Sequence, residues 1–247
     1  MQIIAKSEVG NVRKINQDYV VYKSLNNNET IAVLCDGMGG HKAGEVASLM
    51  TCEYILNHFE NHAPFQNDED IQSWISEMIV NANKLLMKES SLHEEYEGMG
   101  TTVVLCYVKD EDFYISHVGD SRAYYLNETG LNQLTRDDTL VNALVAYGSI
   151  TELEAMSHPR KNILLQAVGA TEELKISFYK QKFEKGLLLL CSDGLTNSLS
   201  DQQITDILTH DFNKDIVANE LVSQSLVHGG YDNISFIILD KGVFTNE

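Results

Sequence analysis

The sequence predicts an α+β fold in which layers of helix lie on layers of sheet, and three observations predict it. Apolar runs of strand length recur along the chain, from residues 3–5 to residues 234–239. Helical patterns come largely in consecutive pairs, at 41–59 with about 71–86, at 139–147 with 152–156, and at 201–208 with 215–226. That order is not the strict strand–helix alternation of a doubly wound parallel sheet. Two helices after a strand suggest a helical layer lying on a sheet, and two such layers would cover two stacked sheets on both outer sides. The chain has 247 residues, 43% of them apolar, which is enough for one large domain or two small ones. No Pro/Ser/Gly-rich linker, repeat or low-complexity tract divides it, so one domain over 1–247 is expected.

Residues 3–5 and 19–22 read as the first strands, with 26–30 as a hairpin tip ahead of a buried strand at 31–35. From His41 to about Phe59, Val46, Leu49, Met50 and Leu56 form an apolar helical stripe. Residues 67–70 read as a loop. The next helix is clearer, because Ile71, Trp74, Ile75, Met78, Ile79, Ala82, Leu85 and Leu86 recur at three- and four-residue spacing. Such a stripe is core rather than a cofactor box. Strands follow at 101–108, 113–118 and 123–126. Gly148 then acts as a stop between two short helices. Strands at 187–191 and 234–239 enclose the last helices, where Val217, Ala218, Leu221, Val222 and Ser225 share one face.

Several classes are excluded. The longest apolar runs, such as Leu187-Leu188-Leu189-Leu190, are of strand length and far short of the roughly 18 residues a membrane span requires. The start, Met1-Gln2-Ile3-Ile4-Ala5-Lys6, lacks the basic and apolar regions of a signal peptide, so a cytoplasmic protein is expected. Cys35, Cys52, Cys106 and Cys191 form no CxxC pair and read as reduced core residues. Lys and Arg number 18 against 36 Asp and Glu, and a formal charge of −18 repels nucleic acid. Such a charge gives a solvated surface, or is offset in part by bound cations.

The acids are not evenly spread. The run 31–35 leads into Asp36-Gly37-Met38-Gly39-Gly40, 187–191 into Ser192-Asp193-Gly194, and 113–118 into Gly119-Asp120-Ser121-Arg122. Gly230-Tyr231-Asp232-Asn233 precedes the last strand, and Asn16-Gln17-Asp18 leads into the run 19–22. Any one of these is ordinary turn chemistry, since Asp-Gly is a favoured turn pair. Five together point to carboxylates converging at sheet ends. Like charges there are relieved by hard cations with oxygen ligands, Mg²⁺ or Mn²⁺. Zinc-protease and EF-hand patterns are absent, and Glu45 follows Gly44 where a nucleotide-cradling loop carries Lys-Ser/Thr.

In these residues the chain resembles the metal-dependent serine/threonine protein phosphatases of type 2C, in their bacterial branch. The resemblance runs from about residue 5 to 240. Its motifs, in the family's order, are Gly10-Asn11-Val12-Arg13-Lys14-Ile15-Asn16-Gln17-Asp18, the stretch from Asp36 to Ser48, Gly98-Met99-Gly100-Thr101-Thr102, Gly119-Asp120-Ser121-Arg122, Ser192-Asp193-Gly194-Leu195 and Gly230-Tyr231-Asp232-Asn233. Gly148-Ser149-Ile150-Thr151 and His158-Pro159-Arg160-Lys161-Asn162 resemble the family's flap, expected at about 136–168.

The resemblance implies a four-layer α-β-β-α sandwich of two antiparallel sheets flanked by helices. It also implies two Mn²⁺ or Mg²⁺ ions per chain. Asp36 would bridge them, with the Gly37 carbonyl on the first, and Asp193 and Asp232 would complete the second. Asp18 would hold metal-bound waters, and Asp120 would serve a third, weaker ion with Asp193. Arg13 would grip the substrate phosphate by two charge-assisted bonds. A water bridging two divalent ions about 4 Å apart ionises near neutral pH and can attack phosphorus in line, with no phosphoenzyme. Cys35 and Cys191 then need not be nucleophiles.

Phosphoprotein substrates are implied, with a partner serine/threonine kinase among them, and a monomer is expected. Two departures stand out. Met38 occupies a position where many eukaryotic members carry His, so protonation of the leaving group falls to water or another group. His41 is nearby, and its plainer role is at the start of the following helix. Asp137-Asp138-Thr139 replaces the usual Asp-His-Ser of the flap. Two other readings were open. An inert binding module would have lost Asp36, Asp193 or Asp232, and a small-ester hydrolase would prefer small esters to phosphopeptides.

Overall fold

Alternation along the strands decides how this chain stacks. The computed structural model describes residues 1–25, 28–39, 43–211 and 213–242. One sheet has the order β1 (Gln2–Glu8), β11 (Ile234–Asp240), β10 (Leu187–Cys191), β7 (Arg122–Asn127), β8 (Gly130–Gln133). The other has the order β2 (Asp18–Leu25), β3 (Glu29–Met38), β5 (Val103–Lys109), β6 (Asp112–Val118), β9 (Ser177–Lys182), with the short β4 (Gly100–Thr101) on the end of β3. All pairings are antiparallel.

Both faces of the central strands are apolar because both are covered. Ala32 and Leu34 of β3 meet Leu188, Leu190, Ile237 and Leu239 of the facing sheet in the middle core. Their neighbours Ile31, Val33 and Cys35 point the other way, onto helices α1 (Ala43–Phe59) and α2 (Asp68–Leu92). Leu187, Leu189, Cys191, Phe236 and Ile238 likewise pack against α5 (Asp193–Ser198), α6 (Asp201–His210) and α7 (Lys214–Val227). The period-two alternation of strand side chains thus produces three parallel cores and an α-β-β-α sandwich. Two further helices, α3 (Leu140–Ala146) and α4 (Glu152–Met156), lie in the excursion between β8 and β9.

Most expected elements are present, and the differences have local causes. Residues 67–70 are not a loop. The Asn67 side chain accepts the Asp70 N–H as an N-cap, and Asp68, Glu69 and Asp70 form a first turn that complements the helix dipole. The strand expected over 101–108 is interrupted at Thr102: its N–H still donates to the Asp36 carbonyl, but the Asp36 N–H turns to the Thr102 side-chain oxygen instead of the Thr102 carbonyl. Strands β8 and β9 and the short α5 add to the expected set. β9 is mostly exposed, so it lacks the apolar signal that marks a buried strand. Thr139 and Thr151 cap α3 and α4, with Gly148 between them. Residues 26 and 27 of the expected hairpin tip and His41 at the expected helix start lie outside the described residues.

The four cysteines are free and buried. Among the described residues no helix is long and apolar enough to cross a membrane.

Candidate metal centre

Strand register brings the five acids to one end of the sandwich. Asp18 opens β2 and Asp36 lies near the end of antiparallel β3, where the two residues are direct partners. β10 ends at Cys191, and Asp193 follows one residue later as the first residue of α5. Asp232 stands just ahead of β11, and the Ser192 N–H donates to the Ser235 carbonyl at 2.9 Å, so these chain ends run side by side. Asp120 occupies the turn between β6 and β7, and Arg122 at the start of β7 pairs in register with Cys191. One bond crosses from sheet to sheet here: the Ser192 hydroxyl donates to Asp18 Oδ2 at 2.8 Å.

The electrostatics follow from that crowding. Burial, then the charges of Asp18, Asp193, Asp120 and Asp232, hold the Asp36 carboxyl well above its ordinary value. Burial pushes Asp18 up to about 6, with Asp193 and Asp232 adding to the rise and the neighbouring Ser235 and Ser192 hydroxyls pulling against it. Asp193 is raised to about 6 by burial and by Asp232, while Asn197, Arg13 and Arg122 pull the other way. Asp120 is raised to about 7 by burial and then by Asp193 and Asp137. Each of these shifts marks an anion short of positive charge.

The backbone around Asp36 is held tightly. Its N–H donates to Thr102 Oγ1 at 3.0 Å, and its carbonyl accepts from the Thr101 hydroxyl at 2.8 Å and the Thr102 N–H at 2.9 Å. Gly37 donates its N–H to the Gln17 carbonyl at 3.0 Å. A Cβ on Gly37 would stand 2.0 Å from the Gly44 carbonyl oxygen, so this approach of β3 to α1 demands glycine. Met38 follows as the register partner of Gly100.

Arg13 rides on a loop that Asn233 fastens. The Asn233 amide donates to the Val9 carbonyl at 2.9 Å and the Ile15 carbonyl at 3.0 Å, and its Oδ1 accepts the Gln17 N–H at 2.9 Å. Asn11 adds bonds to the carbonyls of Leu226 and Gly229. From this loop the half-exposed Arg13 donates to Asp232 Oδ2 at 2.7 Å. The acid it meets is one of the five.

Four participants have roles that the sequence does not show. Ser192 and Asn233 were signalled only by adjacency to Asp193 and Asp232. Arg122 pairs side-on with Asp137, at 2.9 Å and 2.7 Å, and Asp138 accepts the Gly119 N–H at 2.9 Å; both contacts join segments whose separation hides them.

These residues suit hard divalent ions. The donors are all oxygens, and Asp18 Oδ1 is buried with no hydrogen-bond partner, an acceptor that a cation or its water would satisfy. Among the described residues no three such side chains close into a coordination cage. An open arrangement fits Mg²⁺ or Mn²⁺, which keep several waters and take few protein ligands each.

Residues 11–227 match the model of the family described as Protein phosphatase 2C. The serine/threonine phosphatase stp of Listeria welshimeri is 34% identical over 239 residues, covering 96% of this chain and 95% of that protein. The structure of the Streptococcus agalactiae serine/threonine phosphatase superposes with a TM-score of 0.91 at 32% identity, covering 96% and 98% of the two chains. The catalytic domain of the serine threonine protein phosphatase PstP, solved with two manganese ions, superposes with a TM-score of 0.83 at 30% identity over 97% of each chain. With its five carboxylates gathered at the end of a two-sheet sandwich, this chain belongs to the protein phosphatase 2C family and is a serine/threonine phosphatase.

Proposed function

We propose that this phosphatase works with two divalent ions, Mn²⁺ or Mg²⁺, held by Asp36, the Gly37 carbonyl, Asp193 and Asp232, and that Asp120 with Asp193 takes a third, weaker one. The observation that carries the reading is the set of recessed carboxylates raised by burial and by one another, with an unpartnered oxygen on Asp18. When bound, the ions would supply positive charge to the phosphoryl oxygens and lower the pKa of a water enough to make it a nucleophile near neutral pH.

The chain's own residues do the rest. Ser192 fixes Asp18 through Oδ2, which leaves Oδ1 to accept a hydrogen bond from water and orient it. Arg13 is half exposed at the rim and has donors to spare beyond its bond to Asp232. Its planar fork would leave that carboxylate for two phosphoryl oxygens of the substrate and hold them in line. Met38 has no proton to give, so the leaving serine or threonine oxygen takes its proton from solvent. Residues 136–168 form a flap beside the site within a single domain spanning 1–247. The physiological role proposed is to oppose a serine/threonine kinase in the cytoplasm, as a monomer.

The test is turnover of a phosphopeptide as Mn²⁺ and Mg²⁺ are added to chelated protein, with Asp193→Asn beside wild type. Activity should require the cation, and full turnover in excess EDTA would sink the proposal. A comparison of kcat/KM for a phosphopeptide and a small chromogenic ester separates a protein phosphatase from a small-ester hydrolase.

A further inference from the structure

Asp138 commits both its backbone and its side chain to the join between residues 136–168 and the Asp120 turn. Its Oδ2 accepts from the Gly119 N–H at 2.9 Å and from Gln166 Nε2 at 2.7 Å. Its own N–H donates to the Gly119 carbonyl at 2.9 Å, and its carbonyl accepts the Leu165 N–H at 2.8 Å. Gly119 is therefore held at both its N–H and its carbonyl by one residue. It turns with a φ of +103°, and a Cβ there would meet Thr102 Cγ2 at 2.7 Å. Thr102 is the residue that holds the Asp36 N–H. The peptide leading into Asp120 is thus wedged between the support of Asp36 on one side and Asp138 on the other.

The second arm of the clamp is also anchored. Gln166 donates to the Lys175 carbonyl and accepts the Lys175 N–H, each at 2.8 Å, and two residues later Val168 exchanges both backbone bonds with Thr101 at 2.9 Å. Asp137 next door has a separate task, the pair with Arg122. The carboxylate at 138 provides one oxygen that accepts two N–H donors at once.

We propose that Asp138 is a positioning residue for the divalent ion at Asp120. It sets the direction in which the Gly119–Asp120 peptide presents its carboxylate, and it ties that direction to the flap through Gln166. The inference rests on the reading of Asp120 as a ligand. Groups that orient a ligand in this way typically govern about 10–100-fold in metal affinity.

Mn²⁺ titration followed by electron paramagnetic resonance, which counts free ion, reads binding without turnover. Wild type should show a tight class of sites and a weak one, and Asp120→Asn should lose the weak class. Asp138→Ala should keep the tight class and weaken the weak one by about tenfold or more. Asp138→Asn retains an oxygen able to accept both bonds and should stay close to wild type. Gln166→Leu leaves the Gly119 bonds in place and should shift the weak class in the same direction by less, which keeps the idea testable where Asp138→Ala does not fold. A weak class untouched by Asp138→Ala and lost in Asp120→Asn would overturn the positioning role and leave Asp120 a ligand. A weak class intact in Asp120→Asn would overturn the Asp120 reading and this inference with it. Asp138→Asn as impaired as Asp138→Ala would show that charge, not orientation, is at work.

Discussion

Strand β3 carries an acid near each end, and the two are treated in opposite ways. Glu29, at the first end, is 1% exposed, yet Lys109 Nζ lies 3.2 Å from one oxygen and His62 Nε2 lies 2.9 Å from the other. The His62 ring is stacked between Phe59 and Phe65, at 5.2 Å and 4.4 Å, so this partner is locked in place by packing. Asp36, near the other end, is met by Asp18 across the register and by the charges of Asp193, Asp120 and Asp232. The fold can evidently place a cation beside a buried acid of this strand. At Asp36 it places anions, which stabilises nothing in the chain itself. Acids answered from within hold the fold; acids answered only by other acids are arranged for something that arrives from outside.

The largest expected effect is on catalysis at the Asp36 end. Asp36→Asn or Asp193→Asn should lower phosphopeptide turnover by at least about 100-fold, more than a merely orienting neighbour costs. The metal-free variants should melt no lower than wild type, because a repelled charge has been removed. Near wild-type turnover at saturating Mn²⁺ would break the contrast. At the other end the currency changes. Glu29→Ala leaves Lys109 and the buried His62 without their acid and should cost about 3 kcal/mol in urea unfolding, with turnover per folded molecule unchanged. A variant that lost turnover and kept its stability would reverse the assignment of the two ends.

Next comes Arg13, a half-exposed cation at the acidic end. Arg13→Ala should lower kcat/KM by about 1.5–3 kcal/mol through lost phosphate binding, and Arg13→Lys should recover part of it. The Mn²⁺ midpoint should stay put or fall, since Asp232 loses a competing partner. A defect confined to the metal titration would assign Arg13 to the metal site instead. The smallest effect concerns pH. Asp18 is raised from 3.8 to about 6, so the chelated, folded protein holds this proton more tightly than the unfolded chain does. Its contribution to stability is present below pH 4 and is lost as pH climbs through 6. Asp18→Asn should remove about 1–2 kcal/mol of that decline, measured by thermal melts across the window. An unchanged slope would mean that Asp18 is not among the crowded acids.

The same contrast explains what could be read in the sequence. Asp36, Asp193 and Asp120 each follow a buried apolar run, and Asp232 precedes one, so local pattern was enough to expect them at sheet ends. The α2 stripe from Ile71 to Leu86 was legible for the same reason. The Glu29 cluster was not, because residues 29, 62 and 109 are joined only by strand register and by the stacking of His62. Strand β9 was hidden by its exposure. Asp138 was noted as a departure from the family's usual residue, but its hold on Gly119 needs the turn geometry that only the folded chain supplies. Signals one or two residues long were visible; signals carried by pairing across the fold were not.

The buried thiols described above bear on how this enzyme would fare under oxidative stress. Burial raises Cys35, Cys106 and Cys191 alike, the last to about 12, so none of the three offers a thiolate to peroxide at neutral pH. Hydrolases that attack phosphate with a cysteine are silenced when that sulfur climbs to a sulfenic acid. Here the sulfurs fill space inside the cores, and on the proposed metal mechanism dephosphorylation would not depend on a thiolate that an oxidant could consume.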